Sequence, residues 1–138
     1  MLKLKELIRK IVVWINDNLI LKTYGYNDFT YSSGFTYYNT TDYAPIATKQ
    51  GRVVTLNGAF KNTAQKSAGL QTIGYVPVGC EPLFNQVFLS QPKGTMNRLL
   101  VQIYPDGHIS IDRYGTTSSI AIPANSRLML NHSYISKN

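Results

Sequence analysis

The fold of this chain is decided by residues 98–111, which read RLLVQIYPDGHISI. Apolar and polar side chains alternate on both sides of Pro105-Asp106-Gly107, as they do in β-strands that bury one face. Proline fixes φ at the first corner of a turn, aspartate caps the turn, and glycine accepts positive φ. We therefore predict a β-hairpin with one strand from Arg98 to Tyr104 and the other from His108 to Asp112.

Strand-like segments recur along the chain at the spacing typical of β-sandwiches and β-barrels. Residues 52–60 alternate, with Val53, Thr55 and Asn57 on one face and Val54 and Leu56 on the other. The remaining predicted strands are Leu70–Val76, Phe84–Ser90, Ser118–Ile122 and Arg127–Ile135. No helical period follows residue 22, so the predicted fold class is an all-β, antiparallel barrel or sandwich head.

The first 22 residues carry a different pattern, an apolar heptad typical of an α-helical coiled coil. Its positions, which we call the seam, are Leu4, Leu7, Ile11, Trp14, Asn18 and Leu21. A single helix cannot bury this seam against itself, and no second helix is predicted. The partner of the seam is therefore expected to be another copy of the chain or another protein. An asparagine such as Asn18 in an apolar seam fixes register and helix number at a cost in stability.

The predicted organisation is a helical stalk at residues 1–22, a neck at 23–28 and a β head domain at 29–138. The twenty residues from Tyr24 to Tyr43 contain eight aromatic side chains, interleaved with serine and threonine. Two interpretations of these rings stay open. They pack between protomers as part of the neck and first strand, or they form a stacking surface for sugars.

Charge and cysteine content exclude several classes of function. The net charge is +7, but the basic residues after the stalk are scattered, which argues against a nucleic-acid partner. Cys80 is the only cysteine, so the chain has no internal disulfide and no thiolate metal site, and a buried small hydrophobe is the expected role. The longest uninterrupted apolar run, Ile11 to Ile15, is too short to span a bilayer. A basic amphipathic helix lying on a membrane remains an alternative.

Catalytic patterns are absent from the sequence. His108 and Asp112 lie on one predicted strand and point the same way, but no nucleophile elbow, HExxH motif or paired carboxylates accompany them. Asp106 is explained by its turn, where aspartate is favoured. A metal site would require His108 and His132 to meet through folding. We therefore expect a protein that is not an enzyme and that uses no cofactor or metal.

Binding is the function that the remaining residues favour. Aromatic rings beside short polar side chains suit carbohydrate, whose C–H faces stack on rings while its hydroxyls form hydrogen bonds. The outward residues around the hairpin give the candidate saccharide-binding set, which is Tyr104, His108, Asp112, Arg113 and Tyr114. The same residues are also compatible with a merely soluble hairpin.

Three segments together resemble the C-terminal head domains of phage tail fibres and baseplate receptor-binding proteins. They are GRVVTLNGAF at 51–60, IGYVPVGCEP at 73–82 and the hairpin at 98–111, followed by NHSYI at 131–135. With the short helical stalk, the chain is most similar in plan to lower-baseplate receptor-binding proteins of siphophages that infect Gram-positive cocci. The resemblance implies a trimeric helical shoulder, a neck and a β head that grips host saccharide.

That resemblance implies a homotrimer in the phage tail or baseplate, whose stalk docks to a baseplate or tail protein and whose heads bind host cell-wall polysaccharide. It implies neither a nucleic-acid nor a membrane partner. Relatives often bind saccharide through a tryptophan and a His-x-Asp pair. Here the only tryptophan is Trp14, in the stalk, so ligand residues are not transferred. The alternatives are a structural or decoration protein of the virion, a membrane-associated protein and, last, a glycosidase.

Overall fold

The computed structural model describes residues 2–67, 69–91, 98–113 and 121–138. Within these ranges the helix α1 spans Leu2–Asn18, a short 3₁₀-helix spans Tyr26–Asp28, and the other regular elements are β-strands. The strands are β1 (Lys22–Tyr24), β2 (Thr30–Tyr31), β3 (Phe35–Tyr37), β4 (Ile46–Gln50), β5 (Val53–Asn57), β6 (Ala59–Asn62), β7 (Lys66–Ser67), β8 (Gln71–Tyr75), β9 (Gln86–Ser90), β10 (Leu99–Ile103), β11 (His108–Arg113), β12 (Ala121–Ile122), β13 (Arg127–Met129) and β14 (His132–Ile135). The predicted fold class, an all-β antiparallel head preceded by a helix, is confirmed.

Two larger sheets form the body of the head. Sheet A has the strand order β1-β4-β5-β14, and sheet B has the order β2-β8-β11-β10-β9. Smaller sheets, β13-β6-β3 and β12-β7, complete the described part of the chain. All of the strand pairs are antiparallel.

The core lies between the inward faces of these sheets. Strand β5 alternates as predicted, with Val54 and Leu56 buried and Val53 and Asn57 exposed. Strand β10 likewise buries every second residue. Phe60, at the end of the predicted strand at 52–60, is the largest fully buried side chain. Burial of one such side chain contributes about 1.5–3 kcal/mol, so this alternation is enough to orient each strand.

The predicted strands at 52–60 and 127–135 are each divided in two. The chain leaves sheet A at Gly58, whose φ is +91°, and continues as β6 in the three-stranded sheet. The segment that pairs with it, residues 127–135, makes the same change between Met129, where β13 ends, and His132, where β14 begins. At this point the Leu130 amide donates to the Gly58 carbonyl at 2.9 Å. The two segments therefore form one bent ribbon that joins two sheets. Of the predicted strand Ser118–Ile122, residues 118–120 lie outside the described residues.

The helix α1 carries exposed apolar side chains along its whole length. Those from Leu4 to Ile15 are each between 38% and 57% exposed, on the seam and off it. A helix that is apolar on several sides is buried in larger assemblies, because soluble surfaces do not sustain so much apolar area. Among the described residues, no helix has the length and apolar character needed to cross a membrane.

The helix ends before the last predicted seam position, Leu21, and before the end of the predicted stalk at residue 22. It stops at Asn18, and Leu21 therefore lies outside it, in the link to β1. The cause is β1, because Lys22–Tyr24 pair with β4 and this pairing forces the chain to become extended. Lys22 was assigned to the stalk, and Thr23 and Tyr24 to the neck. At the junction, the Gln50 side chain donates to the Leu19 carbonyl at 2.8 Å.

Candidate saccharide-binding face

The candidate site lies on the outer face of sheet B. Because Ile103 and Ile109 pair and are both buried, the residues beyond them in the hairpin, Tyr104 and His108, point outward. His108 is also directly opposite Tyr75 on β8. On the same face Gln102 is opposite Ser110. We call these residues, Tyr75, Gln102, Tyr104, His108 and Ser110, the hairpin face.

The turn that holds this face is the predicted one. Gly107 adopts φ +92° and its amide donates to the Tyr104 carbonyl at 2.8 Å. The Asp106 carboxylate accepts a hydrogen bond from the His108 amide at 3.0 Å and lies 2.5 Å from Nδ1 of the His108 ring. The His108 amide is the main cause of a lowered pKa at Asp106, so this carboxyl is charged at neutral pH.

Two rings on the hairpin face are stacked. Tyr104 and His108 have centroids 4.0 Å apart and ring planes inclined by 10°. The Tyr104 hydroxyl donates to the Gln102 side-chain oxygen at 2.7 Å, which fixes the ring in place. Tyr75 adds a third ring, 6.3 Å from His108 and 42% exposed. The result is an aromatic surface with polar atoms at its margin.

Ser110 lies next to these rings with its hydroxyl unpaired. The residue is 3% exposed, and its Oγ has no hydrogen-bond partner among the described residues. Buried polar groups are nearly always hydrogen-bonded, so an unpaired hydroxyl at this position is unfavourable. Because the Ser110 oxygen is itself buried, a saccharide hydroxyl on this face does not reach it.

The predicted binding residues are only partly brought together. Tyr104 and His108 are in contact, whereas Asp112 lies on the same face but four residues along β11 from His108, about 13 Å at 3.3 Å per residue. Arg113 pairs with the buried Leu99, which places it on the opposite side of the sheet at the exposed end of β11. Tyr114 lies outside the described residues.

Sequence reasoning did not identify Tyr75 and Gln102 as part of this face. Gln102 lies on a predicted strand at a position that alternates with Val101 and Ile103, so its outward direction was available from period alone. Tyr75 comes next to His108 only through the pairing of β8 with β11. That pairing joins segments distant in sequence and includes a register shift between Ile109 and Ser110.

The aromatic segment from Tyr24 to Tyr43 packs largely within its own chain. Phe29 and Phe35 are buried in the core, so neither sequence interpretation applies to them. Tyr31 contacts Phe60 at a centroid distance of 4.7 Å, and burial raises its pKa. Tyr43 carries the Arg127 guanidinium 4.1 Å from its ring centroid, a cation–π contact. Tyr26 and Tyr31 each contact Tyr37, at centroid distances of 4.7 Å and 6.0 Å.

Cys80 and His132 have structural surroundings rather than catalytic ones. Cys80 is fully buried, and burial raises its pKa to about 11, so the thiol is protonated at neutral pH. His132 stacks on Phe88 at 4.5 Å and its Nε2 lies 3.0 Å from the Gln86 side-chain oxygen, on the inward side of β9. His108 faces outward, so the two histidines do not meet. No group of three metal-binding side chains occurs in the described ranges.

A solved structure resembles the chain over nearly its whole length. The receptor-binding protein (gp15) of Listeria phage PSA superposes with a TM-score of 0.60, covering 99% of this chain and 77% of that one, at 15% sequence identity. No protein-family model matches the sequence, and the comparison with curated proteins finds no match.

This likeness establishes the fold. The superposition spans 99% of this chain, which includes its antiparallel β-sheets and its N-terminal helix. Fold alone does not assign function, since function depends on the site that a fold carries. The hairpin face and the exposed helix are therefore the features from which a function has to be argued.

Proposed function

We propose that the chain is a phage receptor-binding protein that attaches a virion to its host by non-covalent binding of cell-wall saccharide. The observation that carries the proposal is the whole-length likeness to a phage receptor-binding protein, which includes the helix as well as the head. The matching sequence segments in the head point to the same class of protein.

The hairpin face supports the saccharide part of the proposal. A sugar ring stacks its C–H groups on Tyr75 or on the Tyr104–His108 pair, and its hydroxyls bond to polar atoms at the margin. The exposed Asp106 carboxylate supplies such an atom. The binding site is centred on Tyr104 and His108, and Asp112 extends it along the same face. Arg113 lies on the opposite side of the sheet, and Tyr114 lies outside the described residues.

The helix supports the assembly part of the proposal. The seam residues of α1 pair with sister copies in a homotrimer, and the other exposed side of the helix docks to a baseplate or tail protein. Val13 is exposed and off the seam, which gives that second partner an apolar contact. Multivalent display raises the effective concentration of weak sites, so a weak saccharide site becomes an effective adhesin.

A binding assay tests this function directly. The full chain, fluorescently labelled, is applied to purified cell-wall polysaccharides from a panel of Gram-positive bacteria. Tyr75→Ala and His108→Ala should each weaken binding about 3- to 10-fold, the effect of losing one aromatic contact. Tyr38→Ala is the matched control, because Tyr38 packs on Tyr43 rather than on the hairpin face.

Each outcome of the assay is informative. Saccharide binding that weakens in both hairpin-face variants but not in Tyr38→Ala supports the site and the function together. Binding that all three variants retain would move the site elsewhere on the head. If a folded trimer bound none of the polysaccharides, the structural or decoration role would replace the adhesin role.

A further inference from the structure

Exposed apolar side chains on the head concentrate on one side. The described part of the head exposes nine large apolar side chains, and six of them surround the strands β9 and β14. We call these six the apolar belt: Val53, Leu83, Phe84, Val87, Leu89 and Ile135. Each of them is between 38% and 70% exposed, too much for a core role.

The belt has one patch on the outer face of sheet A. Ile135 is directly opposite Val53, and the buried neighbours Tyr134 and Val54 form the inward pair of the same strands. Ile135 and Val53 therefore point outward together. Strand β14, which carries Ile135, is the last strand in the order of sheet A.

A second patch lies on the outer face of sheet B, at its β9 edge and beside the hairpin face. Leu89 is opposite Leu100 and Val87 is opposite Gln102, while Phe88 between them turns inward to stack on His132. Strand β9 is the last strand in the order of sheet B, so Val87 and Leu89 flank an edge that pairs with no other described strand. Apolar edge strands of this kind are normally covered, because an open edge recruits other chains.

A corner of the chain joins the two patches. The Leu83 amide donates to the Ile135 carbonyl at 2.9 Å, and Pro82 forms a bridge with Ser136. This short segment runs along β14 and then leads into β9, which places Leu83 and Phe84 between the patches. The belt thus wraps around a wedge-shaped corner, with one apolar patch on each outer face.

We propose that the belt is the interface between neighbouring heads of the trimer, with the patch on sheet A of one copy packed against the patch on sheet B of the next. A cyclic assembly needs two different complementary patches on every copy, whereas a two-fold dimer needs one patch that complements itself. A wedge with a different apolar patch on each of its two faces meets the requirement of a cyclic assembly. This inference rests on the proposed trimer and assigns the surface through which its heads associate.

The position of the helix explains why the partner is a second copy. Gln50 holds the end of the helix through the Leu19 carbonyl and is also the strand partner of Val53 in the belt. The patch on sheet A is therefore adjacent to the base of α1. Helices that associate through the seam bring this patch towards the neighbouring head, and the two apolar surfaces become one continuous interface.

Cysteine cross-linking in the full chain tests the inference. Cys80 is fully buried, and its high pKa keeps the thiol unreactive, so the native surface carries no competing thiol among the described residues. The double variant Leu89→Cys/Ile135→Cys is treated with a flexible bismaleimide and separated on a denaturing gel. We expect covalent dimers and trimers and no larger species, because a closed ring has three links.

Three control variants make the result specific. Leu89→Cys alone and Ile135→Cys alone should stay monomeric on the gel, since each patch faces the other kind of patch. Leu70→Cys/Ile135→Cys should also give no covalent trimer, although Leu70 is exposed. Val87→Cys/Val53→Cys repeats the test at a second pair of positions, and thermal melting of each variant checks that the head is folded.

Two results would overturn the interface. Dimers from Leu89→Cys alone would mean that the patch pairs with itself. Absence of cross-links in both double variants, while the same folded proteins sediment as trimers, would mean that the heads stand apart. In that second case the helix-driven trimer of the proposed function would survive. A monomeric mass for the unmodified chain would instead reject the trimer itself.

Discussion

Gly58 is the residue at which the bent ribbon changes sheets. Its φ of +91° is a conformation that residues with a Cβ rarely adopt, and a Cβ there would lie 2.2 Å from the Ala44 carbonyl oxygen. We expect Gly58→Ala to lower the free energy of unfolding by about 1–3 kcal/mol, the range typical of stored backbone strain. Urea denaturation followed by circular dichroism measures the change.

Gly25→Ala is the matched control for this substitution. Gly25 has negative φ, and no atom lies within 4 Å of the position its Cβ would occupy. A surface substitution of this kind changes stability by no more than about 0.5 kcal/mol. Equal losses in the two variants would show that the bend at Gly58 does not need glycine.

His132 makes stability depend on pH. Burial lowers its pKa below the ordinary value of 6.5, so the folded state favours the neutral ring. Below pH 6.5 the unfolded chain therefore binds more protons at His132 than the folded chain does. The contribution of neutral His132 to the free energy of unfolding is complete above pH 6.5, and it is lost as the pH falls through the lower pKa of the folded state. We expect the melting temperature to fall between about pH 7 and pH 5, and to fall less in His132→Gln.

The titration of Asp106 does not contribute to the change in melting temperature between pH 7 and pH 5. Its pKa is lowered below 3.8 by the His108 amide, so its own contribution is present above that value and is lost only in more acidic solution. If wild type and His132→Gln lost stability in parallel between pH 7 and pH 5, another group would be responsible for the acid dependence.

At the scale of residues, period-two alternation was enough to predict the direction of most side chains of the hairpin face. It placed Tyr104 and His108 on one face and predicted the turn residues between them. It did not predict that Ser110 would be covered, because its burial depends on neighbouring strands. Alternation places Ser110 on the outward face with His108, yet Ser110 is 3% exposed.

At the scale of elements, the helix α1 separates two kinds of apolar residue. Ile11 belongs to the seam, and Val13 lies about 200° around the helix from it at 100° per residue. Their exposures in the single chain are 48% and 52%, so the chain alone does not distinguish them. Ile11→Asp should dissociate the proposed trimer, because it places a charge in the seam through which the helices are proposed to associate, whereas Val13→Asp should leave that trimer intact.

Sedimentation velocity at several protein concentrations measures this difference. The comparison is matched in exposure and in the charge that is introduced. If both variants remained trimeric, the helix would not be the element that associates. If Val13→Asp alone dissociated, the associating side of the helix would lie opposite the seam.

The ends of elements were less predictable than their existence. The heptad continues to Leu21, yet the helix stops at Asn18 because Lys22–Tyr24 pair with β4. Similarly, residues 127–135 have strand propensity throughout, but they divide between two sheets after Met129. In both cases a partner distant in sequence decides where the element ends, and local pattern carries no information about that partner.

At the scale of the molecule, sequence predicted a β head on a helical stalk because the two parts have different periods. It did not predict which strands would be edges, and the apolar belt depends on that topology. Val87, Leu89 and Ile135 each look like ordinary outward residues of an alternating strand. Only the strand orders of sheets A and B place them together at one corner of the head.

Trimer formation and saccharide binding should be coupled on surfaces but not in solution. Ile11→Asp leaves the hairpin face unchanged, so its affinity for a soluble oligosaccharide should equal that of the wild type, measured by titration calorimetry. On a dense layer of the same saccharide, three linked heads gain avidity of about 10²–10⁴-fold over one. We therefore expect the wild type to be retained on the layer and Ile11→Asp to wash off, with Val13→Asp behaving as wild type. Equal retention of Ile11→Asp and wild type would show that single heads suffice for binding to the layer, and that clustering is not part of the proposed adhesion.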